Sequence, residues 1–165
     1  MMDEKKVGTL ERVHLALEAK GADSETERFD QSTRTAAAAA AAIGCSVGQI
    51  AKSLILRAKK SERPVLVIAH GDGRVNEKKI ATGLGEKIGR AAADFVRERT
   101  GFVICGVAPL GYTGEIVCFI DADLQEFETV WAAAGTQRGF PHPSQATLSS
   151  CRAARRSRCV RWCVL

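Results

Sequence analysis

Two apolar stretches near the middle of the chain have the pattern of neighbouring β-strands. They are IAKSLILRA (residues 50–58) and RPVLVIAH (63–70), and the charged turn KKSER joins them. Aliphatic and β-branched runs bounded by a polar turn are typical of paired strands. Further strands are predicted in FVICGV, EIVCFIDADL and FETVWAAAG, with Trp131 as the packing anchor of the last one.

Four stretches have the pattern of helices, and the polar segment ADSETERFDQST is predicted to connect the first two. Apolar residues recur at 10, 13, 15, 17 and 19 in the first stretch. Thr35 and Asn76 are predicted N-caps, and glycines at 21, 44, 85 and 101 are predicted C-terminal stops. The predicted helices are residues 9–20, 36–43, 77–84 and 93–100. Because helices and strands alternate irregularly, the pattern favours a mixed α/β fold of the α+β type over a doubly wound one.

Lys52 is out of place in this pattern. In a strand it shares one face with Ile50, Leu54 and Leu56, whereas Ser53 lies on the other face. One interpretation is that its stem packs on apolar neighbours while the ammonium reaches an edge. The other is a cation at the floor of an otherwise apolar pocket. The pattern alone leaves both open.

Length and composition limit the function classes. A chain of 165 residues is expected to form one domain with a substantial core. We expect no signal peptide, because no apolar run follows MMDEKK, and no membrane span. The six cysteines and three histidines lack metal-ligand spacing, and no motif indicates a cofactor, so we expect neither. The glycine-rich segments GDG (71–73) and GLGEKIG (83–89) lack the context of a phosphate loop.

The last part of the chain differs from the rest. Residues 136–165 hold six of the 24 basic residues and none of the 19 acidic ones, so the remainder has 18 against 19 and a net charge of −1. One interpretation is a basic arm that binds RNA. We favour another, in which residues 138–165 are an atypical Arg/Cys-rich tail with a frameshifted origin and the domain is residues 1–137. No strand or helix periodicity is visible there.

The segment CGVAPLGYTG (105–114) concentrates glycine and proline after an apolar run. Such a loop can direct successive N–H groups at an anionic oxygen. It can equally be a tight connection between strands.

Three blocks together resemble the YbaK/ProX family of aminoacyl-tRNA deacylases, free-standing relatives of the editing domain of prolyl-tRNA synthetases. The blocks are STRTAAAAAAAIGCSVGQIAKSLIL, GRAAADFVRERTGFVICGVAPLGY and IDADLQEFETVWAAAG. The resemblance implies a largely antiparallel mixed sheet curled around a pocket with flanking helices. It also implies a cytoplasmic enzyme that hydrolyses the ester of a mischarged tRNA, with the aminoacyl-tRNA 3′ end as partner and a synthetase as a further one.

The resemblance assigns roles to particular residues. Lys52 takes the position of the lysine on which the family's activity depends. Substrate-binding positions are expected on the glycine-rich loop and near the lysine. They are Ser53, His70, Gly106, Val107, Ala108, Pro109, Gly111 and Tyr112.

Some positions depart from the family pattern. Cys105 replaces a glycine and Tyr112 replaces a histidine, and Ala133 stands where members that clear cysteine carry serine. The sequence therefore names neither the amino acid nor the tRNA. The alternative function is a non-catalytic tRNA- or aminoacyl-binding module that kept the fold.

Overall fold

The computed structural model describes residues 8–19, 26–29, 35–104, 106–135, 146–152 and 163–164. These residues form a mixed α+β fold with four helices and one sheet, as the sequence predicted. The elements, in chain order, are α1 (Thr9–Glu18), β1 (Thr26–Phe29), α2 (Ala36–Ile43), β2 (Ile50–Ala58), β3 (Pro64–His70), α3 (Glu77–Leu84), β4 (Ile88–Arg90), α4 (Ala93–Thr100), β5 (Val117–Ile120), β6 (Thr129–Ala133), β7 (Ala146–Arg152) and β8 (Cys163–Val164).

The sheet is mixed and mostly antiparallel. Its strand order is β1-β7-β6-β2-β3-β5-β8, and β4 pairs with β2. The pairs β1/β7, β2/β3, β2/β4 and β6/β7 are antiparallel, whereas β2/β6, β3/β5 and β5/β8 are parallel. The hairpin of β2 and β3 therefore lies near the centre of the sheet, and the loops that build the site lie at the ends of these strands.

The boundaries of α2, α3 and α4 follow the predicted caps, whereas α1 ends at Glu18 and its predicted stop, Gly21, lies outside the described residues. The Thr35 side chain accepts a hydrogen bond from the N–H of Ala38, and the Asn76 side chain accepts one from Lys79. Each of these bonds satisfies one backbone donor that the first helical turn leaves free. Helices α2, α3 and α4 end at Gly44, Gly85 and Gly101, all with positive φ, a conformation that glycine adopts without steric cost.

The two faces of β2 pack into different clusters. Ala51 and Ile55 belong to the main core, with Phe102 at its centre. On the opposite face, Ile50 packs under α2, whereas Leu56 packs near Ile80 of α3. The alternation of a strand thus separates the main core from the face that carries Lys52.

Three predicted features need correction. The run FVICGV is not a strand in its described residues, because Phe102 N–H binds the Thr100 hydroxyl and Gly106 N–H closes a turn onto Val103. Phe102 and Val107 enter the core from a loop instead, whereas Ile104 is exposed. Residues 26–29, predicted as part of a connection, form β1. In the tail, where no periodicity was visible, residues 146–152 and 163–164 form strands β7 and β8.

No helix in the described ranges could cross a bilayer. The longest of them, α1, has 10 residues, about half the length that a membrane span requires.

Candidate functional site

The ammonium of Lys52 is held by two backbone carbonyls beyond the end of β3. Lys52 Nζ lies 2.5 Å from the carbonyl oxygen of Gly73 and 3.3 Å from that of Gly71. The side chain is half-buried. A lysine ammonium has three donors, and acceptors among the described residues use two of them, which leaves one for another acceptor. We call residues 71–73 the lysine-seat loop.

The lysine-seat loop is tightly packed at both of its glycines. A Cβ atom built on Gly71 would lie 2.0 Å from the carbonyl oxygen of Val47. A Cβ atom on Gly73 would lie 2.5 Å from Cε1 of the His70 ring. Glycine is therefore required for these close approaches, and the loop is fixed against the turn before β2 and against His70.

His70 is paired with Asp121 across the ends of two parallel strands. Nδ1 of His70 lies 2.6 Å from Oδ2 of Asp121, and Oδ1 of Asp121 accepts a hydrogen bond from Asp123 N–H. Partial burial raises the pKa of Asp121, but the hydrogen bonds from His70 and Asp123 outweigh it, and the net pKa is lowered. Asp121 is therefore a carboxylate at neutral pH, a suitable acceptor for the imidazole N–H.

The face of β2 that carries Lys52 is open at its middle. Ile50 and Leu56, on either side, are 5% and 2% exposed, whereas Leu54 is 41% exposed. Lys52 is paired with Ala69 of β3, so both lie on this face. Helix α2 covers one end of this face at Ile50 and α3 covers the other at Leu56, which leaves a gap over Leu54 beside the half-buried Lys52.

A cavity of about 140 Å³ adjoins this gap, between the sheet and α3. Its walls include Val67, Ala69 and Ile80, and its charged groups are Arg74, Lys79 and Asp121. Ala69 is the cross-strand neighbour of Lys52, so the cavity and the lysine share one sheet face. A larger cleft of about 600 Å³ lies beside Pro64 and Val117, at the opposite ends of β3 and β5.

The glycine-rich loop packs on the other face of β2. Val107 and Ala108 are buried in the main core with Ala51 and Ile55. Gly106 N–H donates to Val103, so it is not free for a substrate oxygen in this conformation. Among the described residues, no hydrogen bond joins Lys52 to this loop.

The far end of the loop is fastened by two other side chains. Tyr112 donates a hydrogen bond to the Pro109 carbonyl, and Arg12 Nε donates to the Gly111 carbonyl at 3.2 Å. Burial, with a smaller contribution from Cys118, raises the pKa of Tyr112 well above its usual range. This tyrosine is therefore a neutral hydrogen-bond donor.

Three further predicted positions are placed as follows. The Ser53 hydroxyl is buried and has no hydrogen-bond partner within the described ranges. Ala133 ends β6. Cys105 lies outside the described residues.

The structure brings together residues that the sequence did not link. The GDG segment, excluded as a phosphate loop, supplies the two carbonyls that bind Lys52, and Asp121 was not singled out. His70, Asp121 and Asp123 bring ligand-type atoms within 4.8 Å of one another, but here the imidazole and carboxylate bind each other. The one available signal was that His70 and Asp121 each directly follow the apolar part of a predicted strand.

Comparisons with known proteins agree on one family. The sequence model of the aminoacyl-tRNA editing domain matches residues 30–139. The protein YwhH of Bacillus subtilis, described as uncharacterized, is 33% identical over 115 residues, which are 70% of this chain and 73% of YwhH. The proline–tRNA ligase of Limosilactobacillus fermentum is 29% identical over 104 residues, 61% of this chain and 18% of the ligase.

Solved structures show the same likeness. A crystal structure described as a "putative trans-editing enzyme for prolyl tRNA synthetase" is 35% identical with a TM-score of 0.72, covering 85% of each chain. A scaffold from work on epitope backbone grafting by computational design is 30% identical with a TM-score of 0.73, covering 87% of this chain and 86% of the scaffold. The family match covers about two thirds of the sequence, and the fold agrees with it. The chain therefore belongs to the aminoacyl-tRNA editing domain family.

Proposed function

We propose that the protein is an aminoacyl-tRNA deacylase, which hydrolyses the ester between a wrong amino acid and the 3′ end of a tRNA. It would act in the cytoplasm as a free-standing editing enzyme. The observation that carries this proposal is the Lys52 ammonium, which is seated by two carbonyls at the open part of a sheet face in a chain of the editing family.

The proposed chemistry uses the third N–H of the Lys52 ammonium. Water adds to the carbonyl carbon of the ester, and negative charge develops on the carbonyl oxygen. When the bond to the ribose oxygen breaks, a proton from the water passes to that oxygen, which gives the free amino acid and the tRNA hydroxyl. A fixed cation near the developing charge, or near the phosphate of the terminal nucleotide, stabilises the reacting end of the tRNA. A single donor of this kind typically contributes about 10²–10³-fold to kcat.

The apolar and cationic cavity beside Lys52 suits the end of a charged tRNA. Val67, Ala69 and Ile80 offer apolar walls, and Arg74 and Lys79 offer positive charge. Single-stranded RNA ends are bound through both kinds of contact. Ser53, His70 and the Gly106–Tyr112 segment remain proposed substrate-binding positions. Ser53 and that segment lie on the other face of β2, so both would need to move to contact a molecule held at Lys52.

We propose tRNAPro carrying a small wrong amino acid as the substrate class. Two relatives support it, the proline–tRNA ligase and the structure described as a trans-editing enzyme for prolyl-tRNA synthetase. A pocket for proline discriminates weakly against similar small side chains, because a few methylene groups contribute only about 1–3 kcal/mol. A synthetase is the corresponding proposed protein partner.

A second candidate is a binding module without turnover. The observation that favours it is the position of the glycine-rich loop, whose Gly106 N–H is occupied and whose Val107 and Ala108 are buried away from Lys52. Such a module would bind the aminoacylated end and leave the ester intact.

One experiment separates the two candidates. Ala-, Ser-, Thr- and Cys-tRNAPro are incubated with the full chain, and both the remaining ester and the bound tRNA are measured. We expect the enzyme to release at least one amino acid with multiple turnovers. Binding of the charged tRNAs without release would support the module, and neither binding nor release would contradict both.

A further inference from the structure

We propose that His70 and Asp121 are positioning residues for Lys52, and this inference rests on the proposed deacylase function. They act through the lysine-seat loop, residues 71–73. Lys52 needs such support because a lysine ammonium is a point charge on a flexible stem of four carbons. Fixing such a side chain costs rotamer entropy, so the position of its charge depends on the groups that seat it.

The lysine-seat loop contacts His70 through Gly73. Gly73 N–H donates to the His70 carbonyl at 2.9 Å, which closes a turn. The α-carbon of Gly73 also rests on the imidazole, where an added Cβ would clash with Cε1 at 2.5 Å. The carbonyl of Gly73 then receives the Lys52 ammonium at 2.5 Å. The position of the ammonium therefore depends on the orientation of the imidazole ring.

Asp121 fixes the orientation of the His70 imidazole. The distance of 2.6 Å from Nδ1 to Oδ2 is that of a strong charge-assisted hydrogen bond. Asp121 is itself fixed three times. Its backbone N–H donates to the Ile68 carbonyl at 2.8 Å, its Oδ1 accepts from Asp123 N–H, and its Oδ2 faces the ring. The carboxylate thus connects the end of β5 to the loop after β3.

The other end of the lysine-seat loop is held at Gly71. Gly71 carries the second carbonyl that binds Lys52, and its α-carbon lies against the Val47 carbonyl. The nearest atom on this side is the Val47 backbone oxygen, and the Val47 side chain adds one contact, with Cγ1 2.9 Å from an added Cβ. At Gly73 the nearest atoms all belong to the His70 ring, so this is the end of the seat that a side-chain substitution loosens most directly.

The test uses His70→Ala, His70→Asn and Asp121→Asn in the full chain, with Asp94→Asn as the control. Asp94 is exposed in the first turn of α4 and has no part in the seat. Asparagine at 70 can still donate an N–H to Asp121, whereas alanine cannot. The readouts are kcat and KM for the tRNA that the wild type hydrolyses, the thermal melt, and the NMR signal of the Lys52 Cε group in protein labelled with ¹³C-lysine.

We expect His70→Ala and Asp121→Asn to lower kcat by about 10-fold or more, because a displacement of about 1 Å in a positioned group can cost about 100-fold. KM should change less than kcat. The Lys52 signal should shift in both variants, return part of the way in His70→Asn, and stay unchanged in Asp94→Asn.

Folded His70→Ala protein with an unchanged Lys52 signal would overturn the proposal, whatever its activity. Loss of kcat in His70→Asn equal to that in His70→Ala, with the Lys52 signal restored in His70→Asn, would also overturn it, since activity would then not follow the position of the lysine. If the wild type hydrolyses none of the charged tRNAs, the proposed function fails, and the Lys52 signal alone still decides whether His70 and Asp121 hold the lysine.

Discussion

Of the two glycines of the lysine-seat loop, Gly71 has the closer backbone neighbour. Its α-carbon lies so close to Val47 that an added Cβ would be 2.0 Å from a backbone carbonyl oxygen. Backbone cannot rotate away as a side chain does, so either the loop or the turn before β2 must move. The carbonyl of Gly71 binds Lys52, so a shift of this loop affects both the stability of the protein and the geometry of the site.

We predict that Gly71→Ala lowers the free energy of unfolding by about 1–3 kcal/mol, the usual cost of overpacking. Gly83→Ala is the matched control. Gly83 is exposed inside α3, where alanine should stabilise by about 0.5–1 kcal/mol. Urea denaturation of both variants checks the pair. Equal midpoints for Gly71→Ala and the wild type would contradict the described packing.

The sequence could single out Lys52 but not its partners. A cation on an apolar strand face is visible as a break in the alternating pattern. Backbone carbonyls are carried by every residue, so nothing in the letters indicates that Gly71 and Gly73 would receive the ammonium. The pairing of His70 with Asp121 spans 51 positions and arises only because β3 and β5 are parallel neighbours.

At the scale of elements, prediction succeeded where the signal is local. Thr35 and Asn76 cap their helices through hydrogen bonds three residues away, which a short sequence window contains. The strand predicted at 102–107 was wrong for a different reason, because an apolar run suits a buried loop as well as a strand. This run is apolar enough for a strand, but the Thr100 hydroxyl turns the backbone, and burial in the core comes from a loop. Strand β1 was missed because its partner β7 is remote in the chain.

The turn between β2 and β3 is held by a carboxylate from a distant segment. Glu86 accepts hydrogen bonds from the backbone N–H groups of Lys60 and Ser61, both at 2.9 Å, and from the Ser61 hydroxyl at 2.6 Å. These bonds, led by that of the Ser61 side chain, lower the pKa of Glu86 to about 2. The hairpin is thereby fastened to the segment before β4.

We predict a pH dependence of stability from this carboxylate. Because the folded-state pKa is lowered, its contribution is complete above the ordinary value of 4.5 and is lost as the pH falls towards about 2. Glu86→Gln should therefore melt at a lower temperature than the wild type at pH 7. The difference should narrow between pH 4.5 and 2. A difference that stays constant over this range would contradict the prediction.

At the scale of the whole molecule, the last part of the chain has an unusual composition but contributes a strand to the sheet. Its composition is unlike the rest, with six arginines and no acidic residue in 136–165. Yet β7 lies between β1 and β6 in the sheet. A frameshifted origin for residues 138–165 stays a prediction, and so does the domain boundary at 137. Reading from the second base of the Gly139 codon permits Val-Phe-x-Ile, an ordinary amphipathic pattern.

We predict that resequencing the gene around codon 138 will find a frame change. An intact frame there would contradict the prediction, and the arginines would then belong to the protein. In that case RNA binding by the tail becomes testable, because affinity should fall steeply with salt and disappear when residues 138–165 are deleted. The remaining residues carry a net charge of −1 and should bind only the tRNA end.

In the proposed reaction, Lys52 carries the hydrolysis of a mischarged tRNA. The most direct test of this role compares Lys52→Ala with Lys59→Ala, an exposed lysine just beyond β2, in deacylation of the tRNA that the wild type hydrolyses. We predict a loss of about 100-fold or more in kcat for Lys52→Ala and less than a twofold change for Lys59→Ala. Equal activity of a folded Lys52→Ala protein and the wild type would contradict the account.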